Sequence, residues 1–218
     1  MRDWPPVSDS VLYFDLASPY SYLAIMRVAE VLGEEPALQP VLAGAIFAAR
    51  GWGSWALTDA RDANVQEIER RARVRRLPLQ WPPGWPPNSL SAQRAAIHAK
   101  RQGAGRAFAE AVYLATYGAG GDLGDPETIL AAAERAGLAR ETMMAALADP
   151  DVKAELRRET DAALARGVIG VPTLRLGGDL YFGDDQLEQA AERLPLRAGR
   201  RAPRGDEDPG RATFIARK

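Results

Sequence analysis

The chain has no cysteine, one histidine, almost no net charge and no long apolar run. Each scarcity closes a class of function. Without cysteine there is no structural disulfide, no thiolate metal site and no thiol redox cycle of the protein's own. A single histidine, His98, excludes a His-rich metal site and makes a Ser-His triad a poor reading. It lies in SAQRAAIHAK, an Ala-rich stretch that reads as a helix with His98 on its surface. A formal net charge of −1 provides no field to draw in nucleic acid or an anionic membrane. The basic run ERRARVRR (69–76) spreads its cations around a helix and reads as a solvated face. MRDWPPVSDS lacks the basic start and apolar core of a signal peptide, and no segment is long and apolar enough to cross a bilayer. The expectation is a cytoplasmic protein with neither a membrane nor a nucleic-acid partner.

What is present suits one domain carrying a large insertion: 218 residues, 46% of them hydrophobic. VLYFDL (11–16) is short and rich in β-formers, a candidate buried strand. Ser18-Pro19 follows as N-cap and first helical residue, and the helix runs through Tyr22, Leu23, Ile25, Met26, Ala29 and Leu32 to a stop at Gly33. ALQPVL (37–42) is a second strand, made an edge or interrupted one by Pro40. From about Thr58 to Arg166 the periodicity is helical. Starts fall at Thr58, Asn88-Ser89, Asp125-Pro126 and Asp149-Pro150, and stops at Gly103, Gly118, Gly137 and Gly167. LQWPPGWPPN (79–88) interrupts the series with an irregular loop. VPTLRL (171–176), a GG turn and DLYF (179–182) form a hairpin, and DDQLEQAAERL (184–194) a last helix. The order β-α-β, helical block, β-β-α predicts an α/β protein: a thioredoxin-like fold interrupted by an all-helical insertion. Residues 10–45 and 167–195 would form the thioredoxin-like part, 46–166 the insertion, and 199–218 a mobile tail.

Thioredoxin-type redox proteins place Cys-x-x-Cys at such a strand-to-helix junction. Here the corresponding stretch is Ser18-Pro19-Tyr20-Ser21. Helix capping alone accounts for a Ser-Pro pair. The same geometry also offers backbone N–H groups, partial positive charge and a hydroxyl to an anion. In a chain without cysteine, a thiolate stabilised there has to arrive on a ligand. A second signal is GVIGVPT (167–173), in which Pro172 precedes a strand. A cis proline there would face the junction, and the Val171 backbone would be free to pair with an extended peptide. A proline that merely starts a strand is the plainer reading. Trp52, Trp55, Trp81 and Trp85 flank the Pro-rich loops, either as the wall of a flat aromatic pocket or as staples between insertion and sheet.

YFDLASPYSYLA (13–24), PVLAGAIF (40–47), LPLQWPPGWPPNSLSAQRA (77–95) and RGVIGVPTLRLGGDLYFGDDQLE (166–188) together resemble the 2-hydroxychromene-2-carboxylate isomerases. These are relatives of kappa-class glutathione transferases within the DsbA-like group. The resemblance runs from about residue 11 to 195. It implies a homodimer with glutathione as cofactor and a small aromatic, unsaturated carboxylate as substrate. Ser18 would be the catalytic residue holding the glutathione sulfur, and Val171 would pair with the cysteinyl backbone. Phe182, Gly183, Asp184 and Asp185 would grip the γ-glutamyl end. Tyr20, Arg50, Trp52, Pro87 and Asn88 would line the substrate pocket, and no metal is implied. The chain departs from the pattern in two places. GAIFAARGWGSW (44–55) puts Ala48 where relatives carry lysine and Trp52 where they carry asparagine, which weakens recognition of a carboxylate unless Arg50 replaces the cation. FGDDQ (182–186) stands where relatives carry Trp-Gly-Gln-Asp-Arg. The implied activity is a glutathione-dependent cis–trans isomerisation. A kappa-like transferase and a glutathione-binding protein without turnover are the alternatives.

Overall fold

The computed structural model describes residues 6–194, so the tail expected to be mobile lies outside the described residues. Four strands form one mixed sheet in the order β2-β1-β3-β4: β1 (Pro6–Phe14), β2 (Glu35–Pro40), β3 (Thr173–Leu176) and β4 (Asp179–Phe182). β1 and β2 are parallel, with Leu12 opposite Leu38. β3 is antiparallel to both β1 and β4, Leu174 lying opposite Leu12 on one side and Tyr181 on the other. Pro40 ends β2, which is an edge strand, so its missing N–H leaves no ladder bond unmade. This is the thioredoxin-like core that the sequence order predicts.

β1 is central, and its alternation shows why. Leu12 and Phe14 join the large apolar cluster on one face; Tyr13 joins Val41, Ile46, Ala163, Val168 and Val171 on the other. The larger cluster runs without a break from the sheet into the inserted helices through Tyr22, Phe108, Tyr113 and Ile129. Those helices are α4 (Arg61–Val74), α5 (Leu90–Arg101), α6 (Gly105–Tyr113), α7 (Pro126–Arg135), α8 (Arg140–Ala148) and α9 (Pro150–Ala165). Asp125 and Asp149 cap α7 and α9 through their side chains, each followed by proline, as the sequence predicts.

Several boundaries differ. The helix expected from Pro19 to Leu32 is two: α1 (Pro19–Ile25) and α2 (Val28–Leu32). Arg27 separates them at φ −138°, outside helical geometry, and sends its guanidinium to Glu188 and to the Asp184 carbonyl. A further helix, α3 (Ala43–Ala49), begins just after β2 and crosses the expected boundary at residues 45 and 46. The start expected at Thr58 falls at Arg61, after a short turn over Trp55–Leu57. α6 ends in a wide turn, Leu114–Gly118, and the last helix, α10, covers only Leu187–Glu192. Among the described residues no helix is long and apolar enough to cross a membrane.

The basic run at 69–76 is not simply a solvated face. Arg71 and Arg75 are four apart on α4, and both turn inward to a buried carboxylate, Asp184. His98 is half-buried rather than on the surface, and burial holds its pKa below the usual histidine value.

Candidate functional site

Ser18 ends the turn between β1 and α1. It has extended geometry (φ −91°, ψ 115°), and its hydroxyl accepts the Ser21 N–H at 3.2 Å. Pro19 has no N–H and Ser21's is taken, so Tyr20 supplies the first-turn donor that remains. Ser18 is only partly buried, and because its hydroxyl accepts in the capping bond it keeps a proton to donate. Ser21, by contrast, is fully buried.

Three polar side chains lock this turn. The Asp15 carboxylate accepts the Ala17 and Ala43 N–H groups, both at 2.9 Å, and a hydrogen bond from the Ser89 side chain. Burial nonetheless pushes its pKa above the usual carboxylate value. Tyr113 donates to the Asp15 carbonyl at 2.9 Å and Tyr117 to the Ala17 carbonyl at 2.5 Å. The inserted helices thus hold the segment on which Ser18 sits. Gln93 on α5 wedges between the strand ends: its amide nitrogen donates to Phe14 and Val41, and its oxygen accepts from Leu16.

β3 brings the second part. Tyr13 pairs with Thr173, so one step further along each strand the register sets Pro172 beside Phe14. The Val171–Pro172 peptide is cis. Val171 makes no backbone hydrogen bond among the described residues, while the Pro172 carbonyl accepts the Gly183 N–H at 2.9 Å. The Ser18 turn, Val171-Pro172 and Phe182-Gly183 therefore lie at the same end of the sheet. Gly183 has φ +109°, and a Cβ there would collide with the Asp185 carboxylate. Gly170 lets the Phe182 ring lie against the backbone; a Cβ would stand 2.8 Å from that ring and 3.3 Å from Phe47.

The two acids after Gly183 play unlike parts. Asp184 is wholly buried, with one oxygen on Arg71 at 2.6 Å and the other on Arg75. It offers a ligand fixed charge but no free oxygen. Asp185 has a half-exposed side chain and only a 3.5 Å contact to Arg71. Arg71 also pairs with Glu67 at 2.6 Å and lies over the Tyr20 ring, 5.6 Å from its centroid. Hydrogen bonds from Arg70 and Arg71 bring the Glu67 pKa down to about 2. Tyr20 donates to Asn64 at 2.7 Å.

Three of the four tryptophans beside the Pro-rich loops form a continuous aromatic wall. Trp55 touches Tyr20 at 5.8 Å and Trp85 at 5.4 Å, Trp81 touches Trp85 at 4.7 Å, and the Trp85 indole donates to the Tyr117 hydroxyl at 2.8 Å. This wall joins α1 to the irregular loop, whose Trp85–Pro86 peptide is also cis. Trp52 stands apart, 47% exposed, with Arg50 over its ring at 5.7 Å. Arg50 donates to the Val168 carbonyl at 3.3 Å. Pro87 is half-buried and Asn88 exposed, where Asn88 accepts the Leu90 N–H at 2.9 Å. Of the residues named from sequence, Tyr20 joins the turn directly and Arg50 approaches the cis-peptide loop. Pro87 and Asn88 approach through Ser89, which contacts Asp15. Sequence reasoning missed Asp15, Arg71, Gln93 and Tyr117. An acid inside the apolar run YFDL and arginines at i, i+4 were the available signals. Among the described residues no group of three acidic, histidine or cysteine side chains could hold a metal ion.

A central apolar strand, a capped turn with a hydroxyl in place of sulfur and a cis proline before β3 define the class: a thioredoxin-like protein without a redox pair. The model of the DSBA-like thioredoxin domain matches residues 11–195, and the chain belongs to that family. It is similar to a 2-hydroxychromene-2-carboxylate isomerase of Sphingobium xenophagum, 26% identical over 182 residues that span 81% of this chain and 92% of the relative. It is also similar to glutathione S-transferase kappa 1 of Homo sapiens, 25% identical over 201 residues, or 84% and 89% of the two chains. Among solved structures, a 2-hydroxychromene-2-carboxylate isomerase superposes with a TM-score of 0.75 at 26% identity, covering 84% of this chain and 92% of the other.

Proposed function

We propose that the protein binds glutathione beside Ser18 and catalyses cis–trans isomerisation of a small unsaturated aromatic carboxylate. The observation that carries this reading is a partly buried Ser18 at the N-cap after β1, with a cis Val171–Pro172 peptide beside the end of the same strand, in a chain without cysteine. The residues present fit the tripeptide. Ser18 Oγ and the Tyr20 N–H suit the sulfur, the unpaired Val171 backbone suits the cysteinyl unit, and the Asp185 carboxylate suits the γ-glutamyl ammonium. When bound, glutathione would supply a thiolate that adds reversibly to a conjugated double bond, which permits rotation before the thiolate leaves. Ser18 donates a hydrogen bond that favours the charged sulfur. Asp15, Tyr113 and Tyr117 keep the turn rigid so that this donor is in place before substrate arrives. The wall of Tyr20, Trp55, Trp81 and Trp85 gives a flat ring an apolar face and excludes water.

One observation favours a second reading. Arg50, the candidate to replace the missing cation at Ala48, already donates to the Val168 carbonyl and lies over the Trp52 ring, and its Nε makes no hydrogen bond among the described residues. A partly engaged Arg50 holds a carboxylate less firmly than a free cation would and so suits a neutral electrophile, and then the conjugate would be the product, as in a transferase. Calorimetry with reduced glutathione tests the shared premise, with binding expected between the micromolar and millimolar range. Absence of heat and of competition at millimolar glutathione would sink both. NMR of the products of an α,β-unsaturated aryl acid then separates them. A changed double-bond geometry with no adduct supports isomerisation, and an accumulating thioether supports transfer.

A further inference from the structure

At the start of α3 lies a groove of about 570 Å3. Its walls come from the start of α3 (Leu42, Ala45), from α5 (Leu90, Arg94) and from one face of α9. Ser18, Val171 and Phe182 are not among its residues. The volume is that of a small-ligand site, typically about 300–1,000 Å3. The floor is apolar, from Leu42, Leu90 and Leu156, and Leu90 is 36% exposed along it. The rim is cationic: Arg94, Lys153 and Arg157 against a single acid, Asp161, which sits 3.9 Å from Arg157.

Arg94 is the telling residue. Its Nε is shielded from solvent and makes no hydrogen bond among the described residues. A guanidinium N–H withdrawn from water without an acceptor is costly, and a carboxylate relieves that cost with a charge-assisted bond. Thr160 gives no such signal, because its hydroxyl already accepts from Leu42 and donates to Leu156. We propose that this groove is a second ligand site, one that takes an amphiphilic carboxylate with its apolar body on Leu42, Leu90 and Leu156 and its anion on Arg94. The site is independent of whether glutathione binds at Ser18.

Sodium decanoate is the probe, with decanol as its uncharged counterpart. Calorimetry on the wild-type protein should show one decanoate bound, at least about tenfold more tightly than decanol, the value of one well-made charged contact. Arg94→Gln should weaken decanoate about tenfold and leave decanol unchanged. Ala154 and Arg157 are exposed groove residues, so Ala154→Trp and Arg157→Glu probe the site without touching the core. Ala154→Trp should abolish binding and Arg157→Glu weaken it, with melting temperatures kept. A saturating S-hexylglutathione should leave decanoate binding intact. No binding at millimolar decanoate, equal affinity for decanol, an Ala154→Trp variant that binds normally, or displacement by S-hexylglutathione would each overturn the assignment.

Discussion

Ser18 stood out because it belongs to a local pattern, a Ser-Pro cap at a strand-to-helix junction, whereas Asp185 was named only through the resemblance to the isomerases. Asp15 and Arg71 did not stand out, because their partners lie far along the chain. Asp15 reaches Ala43, and Arg71 reaches Asp184, 113 positions away. Single residues also give the sharpest chemical tests. Glu67 has its pKa lowered to about 2, chiefly by the Arg70 hydrogen bond. A depressed carboxylate stabilises the fold above its unfolded value near 4.5 and loses that contribution as the pH falls through about 2. Glu67→Gln should therefore melt below wild type at pH 6 to 7, and the gap should close on acidification towards about pH 2. A gap constant with pH would contradict the assigned charge pairing. Gly170→Ala should push the Phe182 ring aside, since the added carbon would stand 2.8 Å from it. The outcome expected is a rise of about tenfold in the glutathione Kd, read by calorimetry. The melting temperature should fall only slightly, because the ring is 40% exposed and can turn away.

At the scale of elements, the strand and helix order followed from periodicity and from the Asp-Pro and Gly punctuation, which fixed α7 and α9 closely. The division between α1 and α2 did not, because Arg27 leaves the helix for a tertiary reason, its reach to Glu188. α3 also escaped notice. Its N-cap, Leu42, has no capping side chain, and its first-turn Ala43 N–H is instead satisfied by Asp15. The joint between elements that matters most is Gln93, which ties α5 to the ends of β1 and β2 by three hydrogen bonds. Gln93→Leu should leave the Leu16 N–H and the Val41 carbonyl buried and unpaired, while the Phe14 carbonyl keeps the Val41 N–H. A loss of roughly 2–4 kcal/mol in urea unfolding is expected. A loss below about 0.5 kcal/mol would show that water or relaxation replaces the bonds.

At the scale of the molecule, sheet and inserted helices share one apolar cluster, so the insertion shapes the Ser18 turn instead of riding beside it. That unity could not be read from sequence, where the helical block looked separable by composition. Large apolar side chains remain exposed on the helical side, among them Leu57 at 76%, Met144 at 55% and Val74 at 54%. Together with the resemblance to the isomerases, they lead us to propose a homodimer that covers part of this surface. Sedimentation velocity should show a dimer at micromolar concentration. A monomer there would contradict it.

The claim on which the mechanism depends is that Ser18 stabilises a sulfur anion supplied by the ligand. Its most direct test is an ultraviolet titration of thiolate absorbance on bound glutathione, in wild type, Ser18→Ala and Ser21→Ala, with melts run in parallel. A free thiol titrates near 8.5, and the wild-type complex should titrate about two units lower. Ser18→Ala should bring the value back towards that of the free thiol and cut turnover by about ten- to a thousandfold, the loss of one well-placed donor worth about 1.5–4 kcal/mol. Ser21→Ala should leave the titration alone, because its hydroxyl is buried beneath the turn. A Ser18→Ala protein that melts lower yet titrates like wild type would show Ser18 to be a helix cap and nothing more.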